Sequence, residues 1–230
     1  MSPARRKQAV LHEVLVVGTH GNRYTVEVLA SGKARCPCKG FRFRHECRHV
    51  LDPEVRELCA RYEAPRRPHA EVLALASCIA VALRPYVTAV EIVGSLRRGK
   101  PEVKDVDLIF VPGVWAPEQV VSLFRTFGQP LHYGESFGAI VLPQGVGAQL
   151  WCVEDYAVWG AALLHFTGPR AYNIQLRMRA NKRGWQLSQH GLIERASGRL
   201  IAGANEEEVV QALGLPWIPP AQRGQGDRGA

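Results

Sequence analysis

The sequence predicts an α+β protein in which a mixed sheet carries helices and is preceded by a small ββα module. Two short strands of alternating polarity open the chain, and from residue 70 onward segments of helical periodicity alternate with short β-branched runs. A stretch rich in proline and arginine separates the two parts. Because 47% of the 230 residues are apolar, the chain can bury a core of its own.

The first part, residues 1–62, begins with a predicted hairpin over residues 9–30. Its two strands, VLHEVLVV and RYTVEVLA, flank the turn-forming THGN. A cysteine cluster and a helical stretch near residues 51–62 follow. The segment 63–69, EAPRRPH, contains two prolines, and we expect it to be a linker.

The second part, from residue 70, predicts a helix that ends at Pro85 and then two strands, VTAVEIVGS and VDLIFVP. PEQVVSLFRTFG predicts a helix, whereas FGAIVLP and AQLWCV predict a hairpin. Helices over DYAVWGAALLHF and AYNIQLRMRANKRG, a short strand pair and the helix EEEVVQALG complete it. We expect the polar residues 224–230 to be a disordered tail.

Composition and charge indicate which kind of binding partner and which cellular compartment to expect. A net charge of +8 and a pI of about 9.4 favour a polyanion such as nucleic acid, although many basic proteins bind none. No apolar run reaches the roughly 18 residues of a membrane span, and the N-terminus lacks the apolar core of a signal peptide. We expect a cytoplasmic, monomeric protein without a membrane partner.

A candidate metal cluster lies at Cys36, Cys38, Cys47 and His49. Three thiolates and an imidazole are ligands that zinc prefers in a closed tetrahedral site, so we expect a structural Zn²⁺ ion. The alternative is a chance cluster of reduced cysteines. The pattern C-x-C-x8-C-x-H after a hairpin resembles the SWIM zinc-binding motif.

Basic residues surround this cluster. They favour contact with a phosphate backbone, although a merely solvated basic surface would look the same in the sequence. We expect Arg42 and Arg44 to contact DNA.

A second motif joins a glycine turn to two acids. Asp105 and Asp107 are spaced i, i+2 on a predicted strand, so both side chains point to one face and can jointly hold Mg²⁺ or Mn²⁺. The turn amides with Gly94, Ser95 and Arg98 can surround a triphosphate. The glycine turn alone or the pair of acids alone is weak evidence for such a site, since paired acids often lie at the solvated end of a strand.

The combined motif resembles the nucleotidyltransferase family that contains DNA polymerase beta and the bacterial family X polymerases. Two more segments carry the resemblance: HFTGPRAYN at residues 165–173, and ALGLPWIPP near the end. The resemblance covers about residues 70–223. It implies a nucleotidyltransferase palm over 70–153 and a small α/β thumb over 154–223.

The resemblance also implies a role for each matching position. Asp105 and Asp107 would be catalytic and bind both metal ions, and the turn residues would contact the β and γ phosphates. His165 stands where the family commonly has Tyr, which leaves the choice between deoxyribose and ribose open. Phe166 and Gly168 would pack against sugar and base, Asn173 would bond the base edge, and Arg177 would reach the template.

One carboxylate of the family pattern is missing. The family places a third Asp on a later strand, and here that position falls on Gln149 or Leu150, depending on a one-residue shift. Glu154 and Asp155 lie beyond the expected end of the strand.

Three functions remain open on the sequence. The first is a DNA polymerase beta-like enzyme that adds nucleotides to a primer 3′-hydroxyl in DNA repair or replication. The second is a catalytically impaired protein that kept this fold and binds DNA, with or without nucleotide, as a scaffold. The third is a nucleotidyltransferase with a non-DNA acceptor.

Overall fold

The computed structural model of the chain describes residues 10–18, 21–29, 33–44, 47–56 and 65–223, without the side chains of Leu11, Phe43, Arg44 and His132. The chain divides into two compact units, Met1–Pro65 and Arg66–Ala230. The predicted tail 224–230 and the predicted helix beyond residue 56 lie outside the described residues.

The first unit contains a three-stranded antiparallel sheet, as the alternating sequence predicts for its first two strands. Val14 and Val16 on one strand and Val26 and Val28 on the next point to the same face, where they are buried. Residues 53–56 are helical. The other elements are β1 (Val10–Val17), β2 (Arg23–Leu29), β3 (Ala34–Arg35) and α1 (Lys39–Arg44).

The second unit is built on a five-stranded sheet. The strands of the whole unit, which form this sheet and two smaller ones, are β4 (Arg67–Pro68), β5 (Val87–Ile92), β6 (Glu102–Val103), β7 (Asp105–Pro112), β8 (Gln129–Tyr133), β9 (Phe137–Val141), β10 (Gly147–Cys152), β11 (Trp185–Ser188), β12 (Gly191–Glu194) and β13 (Leu200–Ala202). The central order is β5-β7-β10-β9-β8, and only β7 and β10 run parallel. This confirms the predicted mixed sheet. The linker predicted over residues 63–69 overlaps β4, which pairs with β6.

Strand β8 is absent from the sequence-based expectation. Its sequence, QPLHY, contains a proline and lacks regular alternation, so local signals do not mark it. It pairs with β9 at the edge of the sheet, where proline is tolerated. Tertiary pairing makes this segment a strand.

Helices lie on both faces of the central sheet. The helices are α2 (His69–Leu83), α3 (Gly94–Arg97), α4 (Pro117–Phe124), α5 (Trp159–Thr167), α6 (Arg170–Lys182) and α7 (Glu206–Ala212). Val72 of α2 and Phe124 of α4 share a core cluster with Leu108 and Leu150 of the sheet. Trp159 of α5 packs with Ile109, whose side chain points to the opposite face from that of Leu108.

The last part of the unit has its own core, formed by α5, α6, α7 and the antiparallel sheet β11-β12-β13. The largest fully buried side chains of this core are those of Leu164, Leu176, Leu192 and Leu213. None of the helices in the described ranges is long and apolar enough to cross a membrane.

Candidate active site and metal cluster

The paired acids lie on one face of β7. Asp105 and Asp107 are both partly exposed, whereas Val106 and Leu108 between and beyond them are fully buried on the other face. The i, i+2 spacing therefore brings both carboxylates to the same side of the sheet, as the sequence predicts.

The glycine turn approaches Asp107 closely. Gly94 has a φ of +65°, and a Cβ built on it would lie 2.1 Å from Oδ2 of Asp107. The carbonyl oxygen of Asp107 also accepts a hydrogen bond from the amide of Val93 at 2.8 Å. A side chain at position 94 would push the carboxylate away, so the turn requires glycine for space as well as for backbone conformation.

Burial and the neighbouring carboxylate of Asp105 raise the pKa of Asp107 to about 7, although the guanidinium of Arg98 acts in the opposite direction. Two carboxylates held together in a partly buried site repel one another. A divalent cation at this position would relieve that repulsion, so the oxygen ligands present suit Mg²⁺ or Mn²⁺.

One open cavity of about 340 Å³ lies in front of the acids. It brings together every residue that the sequence analysis assigns to catalysis or nucleotide binding, together with Arg177. The lining comprises Gly94, Ser95, Arg98, Asp105, Asp107, His165, Phe166, Thr167, Gly168, Pro169, Arg170, Asn173 and Arg177.

Arg98 joins the two turns that border this cavity. Its Nη1 donates a hydrogen bond to the carbonyl oxygen of Thr167, at the end of α5. Its buried Nε has no hydrogen-bond partner within the described ranges. Arg98 lines the cavity, so its guanidinium places a positive charge there that suits an acceptor such as a phosphate oxygen.

A chain of hydrogen bonds fixes the opposite wall. Nδ2 of Asn173 donates to the carbonyl oxygen of His165 at 2.8 Å, and Nε of Arg177 donates to the carbonyl oxygen of Asn173 at 3.2 Å. Burial, with the positive charge of Arg177 and the nearby His190, lowers the pKa of His165. These effects favour the neutral form of the imidazole.

The strand register decides between the two candidates for the missing carboxylate. Gln149 pairs with Asp107 in the parallel β7–β10 ladder and is partly exposed on the same face. Leu150 is fully buried in the core on the other face. Gln149 therefore occupies the position beside the acids.

A buried ion-pair network was missed by the sequence analysis. Glu206 accepts two hydrogen bonds from Arg97, at 2.8 and 2.9 Å, and one from Arg223 at 3.0 Å. Arg97 also donates to Oγ1 of Thr167 at 2.9 Å. No local motif marks Glu206, because it is one of three successive glutamates and only the fold buries it.

The metal cluster forms in the first unit. Ligand atoms of Cys36, Cys38, Cys47 and His49 all lie within 4.8 Å of one another. The amide of Phe41 donates to Sγ of Cys38 at 3.4 Å. Burial acts to raise the pKa of Cys38, but this hydrogen bond and those from the other ligands lower it to about 6, which favours the thiolate that binds metal.

The two arginines predicted to contact DNA lie on α1 in this unit. Arg42 is exposed and lines an open cavity of about 680 Å³ with Arg35 and Phe41. Arg44 ends α1, and its side chain lies outside the described part of the chain.

Residues 162–224 match the family model described as the DNA polymerase beta thumb. A repair DNA polymerase X of African swine fever virus (strain Badajoz 1971 Vero-adapted) is 32% identical over 144 residues, which cover 57% of this chain and 79% of the viral protein. The DNA polymerase/3′-5′ exonuclease PolX of Bacillus subtilis is 31% identical over 139 residues. These cover 58% of this chain but only 24% of the Bacillus protein, so the chain spans about a quarter of that relative.

Among solved structures, polymerase beta of Leishmania infantum in a ternary P/T complex is similar, with a TM-score of 0.58. The match covers 70% of this chain and 77% of the Leishmania chain at 20% identity. This similarity shows that the two chains share a fold.

Proposed function

This chain belongs to the family X DNA polymerases, and from that membership we propose that it is a metal-dependent nucleotidyltransferase that adds nucleotides to a DNA 3′-hydroxyl. One observation carries the proposal: a single cavity is lined by Asp105, Asp107, the glycine turn and the α5–α6 junction. Acids for metal ions, donors for phosphates and an aromatic wall for a nucleoside are the groups that nucleotidyl transfer requires.

Asp105 and Asp107 would hold the divalent ions. A divalent ion held by these two carboxylates would supply Lewis-acid chemistry, lowering the pKa of the attacking hydroxyl and neutralising charge on the leaving pyrophosphate. The protein itself binds and orients the two reactants, and no covalent nucleophile is needed.

The turn after β5 would hold the triphosphate. Ser95 and Arg98 line the cavity beside the acids, and the buried Nε of Arg98 is oriented by the bond from Nη1 to Thr167. A guanidinium in that position donates to phosphate oxygens with little reorganisation.

The α5–α6 junction would hold the nucleoside and the template. Phe166 and Gly168 line the wall where a sugar and base would pack, and His165 presents a neutral ring there. Asn173 would contact the base edge, and the exposed Arg177 would reach the template strand.

Primer extension tests this proposal. The double variant Asp105→Asn with Asp107→Asn should lower the rate of incorporation at least about 1,000-fold, because the positioned charges that hold the ions are lost. The exposed Glu135→Gln is a matched control outside the cavity and should retain full activity. Activity that persists in the double variant would show that the reaction occurs elsewhere.

A second function is supported by Gln149. A neutral amide beside Asp107 leaves two carboxylates in the described cavity lining, so the second ion would bind weakly. We therefore keep, as the alternative, a protein of this fold that binds DNA and nucleotide as a scaffold and transfers nucleotides slowly or not at all.

The variant Gln149→Asp separates these two functions. If the missing charge limits catalysis, we expect incorporation in Mg²⁺ to rise about 100-fold, the usual order for one positioned charge. Titration with Mn²⁺, followed by electron paramagnetic resonance, should show one more tightly bound ion than in the parent protein. Rapid incorporation by the parent protein, with no gain in the variant, would exclude the scaffold.

We further propose that the cluster at Cys36, Cys38, Cys47 and His49 holds a structural Zn²⁺ ion in a SWIM-like module. The support is a complete set of tetrahedral ligand types brought within 4.8 Å. The basic surface of α1, with Arg42 and Arg44, would then contact the DNA backbone during repair or replication.

A further inference from the structure

One polar atom of the metal cluster has no partner. His49 is 7% exposed, and its Nε2 makes no hydrogen bond within the described residues. The ring stacks on Tyr24 with centroids 4.4 Å apart, which fixes its plane. A buried N–H without an acceptor costs about 1–3 kcal/mol, so an acceptor is expected to reach it.

The other ring nitrogen is placed to bind the metal. Nδ1 of His49 lies 3.6 Å from Sγ of Cys36. Two ligands of one tetrahedral zinc ion are separated by about 3.5 Å, given the usual Zn–N and Zn–S bond lengths. Coordination through Nδ1 leaves the proton of the neutral imidazole on Nε2, which then acts as a donor.

An open cavity of about 400 Å³ in the first unit is lined by His49, Gly18 and Arg48 among others. A methyl group at Gly18 would lie 3.3 Å from Nε2, which is buried in the unliganded protein, so a side chain at position 18 would block the approach of a ligand to this nitrogen. Arg48 is exposed and supplies a cation at the same cavity.

The cavity also has an apolar side. Val17 and Leu51 are 62% and 61% exposed there. The negative charge of Asp52, which also lines the cavity, would repel an anion bound there. Its Oδ1 accepts a hydrogen bond from the amide of Glu54 at 3.0 Å, and this bond partly offsets the charge. Three thiolates around Zn²⁺ leave the metal site with a net charge of about −1. Binding of an anion in this cavity therefore depends on the hydrogen bond from Nε2–H of His49 and on the charge of Arg48, rather than on the net charge of the site.

We propose that this cavity binds one phosphodiester group of the DNA backbone, with Nε2–H of His49 donating to a phosphate oxygen and Arg48 beside it. The apolar surface of Val17 and Leu51 then contacts the adjoining deoxyribose, which favours a sugar-phosphate chain over a free anion. The inference rests on the zinc occupancy and DNA binding proposed above.

The test uses the zinc-loaded full chain labelled with ¹⁵N. Long-range ¹H–¹⁵N spectra of the histidines identify which nitrogen of His49 carries the metal and which carries the proton. A short duplex DNA is then added, and in a separate titration inorganic phosphate. We expect the Nε2–H resonance to shift downfield and saturate with DNA.

Three results would overturn the proposal. They are coordination through Nε2, a shift that saturates with inorganic phosphate but does not occur with DNA, and no shift with either probe. The last result would favour a protein partner at this cavity. Zinc content, measured by metal analysis, and primer extension are recorded on the same sample, so a failure of the zinc assignment or of the polymerase proposal is recognised separately.

A double variant that exchanges two of the candidate ligands tests how much the hydrogen bond contributes to DNA affinity. The double variant His49→Cys with Cys47→His keeps three thiolates, one imidazole and the net charge, but removes the donor from position 49. We expect its DNA dissociation constant to rise about 5-fold to 20-fold, the effect of one charge-assisted hydrogen bond. Unchanged affinity with stoichiometric zinc would contradict the proposal, and if the variant loses zinc, the spectra of the parent protein decide alone.

Arg48→Gln provides a second measurement. It should weaken DNA binding and reduce the slope of log affinity against log salt by about one. An unchanged slope would exclude contact between Arg48 and a phosphate.

Discussion

At the scale of single residues, Asp107 is held in a site that disfavours its charge. The close approach of Gly94, burial and the neighbouring Asp105 all act on one carboxyl group. Its pKa of about 7 lies above the ordinary value of 3.8. The folded protein therefore binds a proton here that the unfolded chain releases between about pH 4 and 7, and this residue lowers the free energy of unfolding as pH rises through that range.

This pH dependence of the free energy of unfolding gives a prediction for the variant Asp107→Asn. In magnesium-free buffer with zinc supplied, the variant should be more stable than the parent protein by about 1–2 kcal/mol at pH 8, because a neutral amide replaces a destabilised charge. The difference should shrink toward pH 4. Urea unfolding across this pH range measures it, with the exposed Glu135→Gln as the control that stays unchanged.

A loss of stability in Asp107→Asn at pH 8 would contradict this account. It would mean that the attraction between the carboxylate and the guanidinium of Arg98 outweighs burial and repulsion. The same variant should be inactive, so a gain in stability would identify Asp107 as a residue kept for function at the expense of folding.

At the scale of elements, one carboxylate joins three segments of the second unit. Glu206 at the start of α7 holds Arg97 of α3 and Arg223 near the end of the described chain. Burial acts to raise the pKa of Glu206, but the hydrogen bonds from Arg97 and Arg223 lower it overall. Arg97 precedes Arg98, so the network also fixes the turn that lines the cavity.

The variant Glu206→Gln should lower the free energy of unfolding by about 3–5 kcal/mol, because it leaves the buried guanidinium of Arg223 and the partly buried one of Arg97 without a counter-charge. Glu207→Gln, in the next position and exposed, is the matched control and should change stability by less than about 0.5 kcal/mol. Thermal and urea unfolding of the three proteins measure the difference. Equal effects of the two variants would show that the network adds nothing beyond the surface charge of α7.

At the scale of the whole molecule, the two units differ in what stabilises them. The buried cluster of the first unit is small, and it includes the candidate metal ligands Cys36 and Cys38. The second unit has larger clusters around its central sheet and around α5, α6 and α7. We therefore expect the first unit to depend on the metal ion proposed for it, whereas the second has sufficient apolar burial of its own.

Removal of zinc should consequently affect one unit only. Chelation, or Cys36→Ser with Cys38→Ser, should reduce amide-exchange protection in residues 10–56 by about 100-fold or more, because metal binding supplies the folding free energy. Protection in β7 and β10 should be retained. Hydrogen exchange with mass spectrometry measures both, and unchanged protection of β1 and β2 after complete loss of zinc would contradict the structural role.

Much of the fold and of the candidate site could be predicted from local patterns. The i, i+2 spacing of Asp105 and Asp107 places both side chains on one face of any strand, and the hairpin of β9 and β10 follows from two short strands around a glycine turn. The four ligands of the metal cluster are also close in the chain, within fourteen positions from Cys36 to His49.

What the sequence by itself determined was therefore chemistry carried by residues near one another in the chain. Only the tertiary structure decided that Gln149 rather than Leu150 stands beside Asp107, because strand register depends on a partner 42 positions away. The same holds for the pairing of Arg97 with Glu206, 109 positions apart. Local periodicity sets which way a side chain points, whereas packing of the whole chain sets which side chains meet.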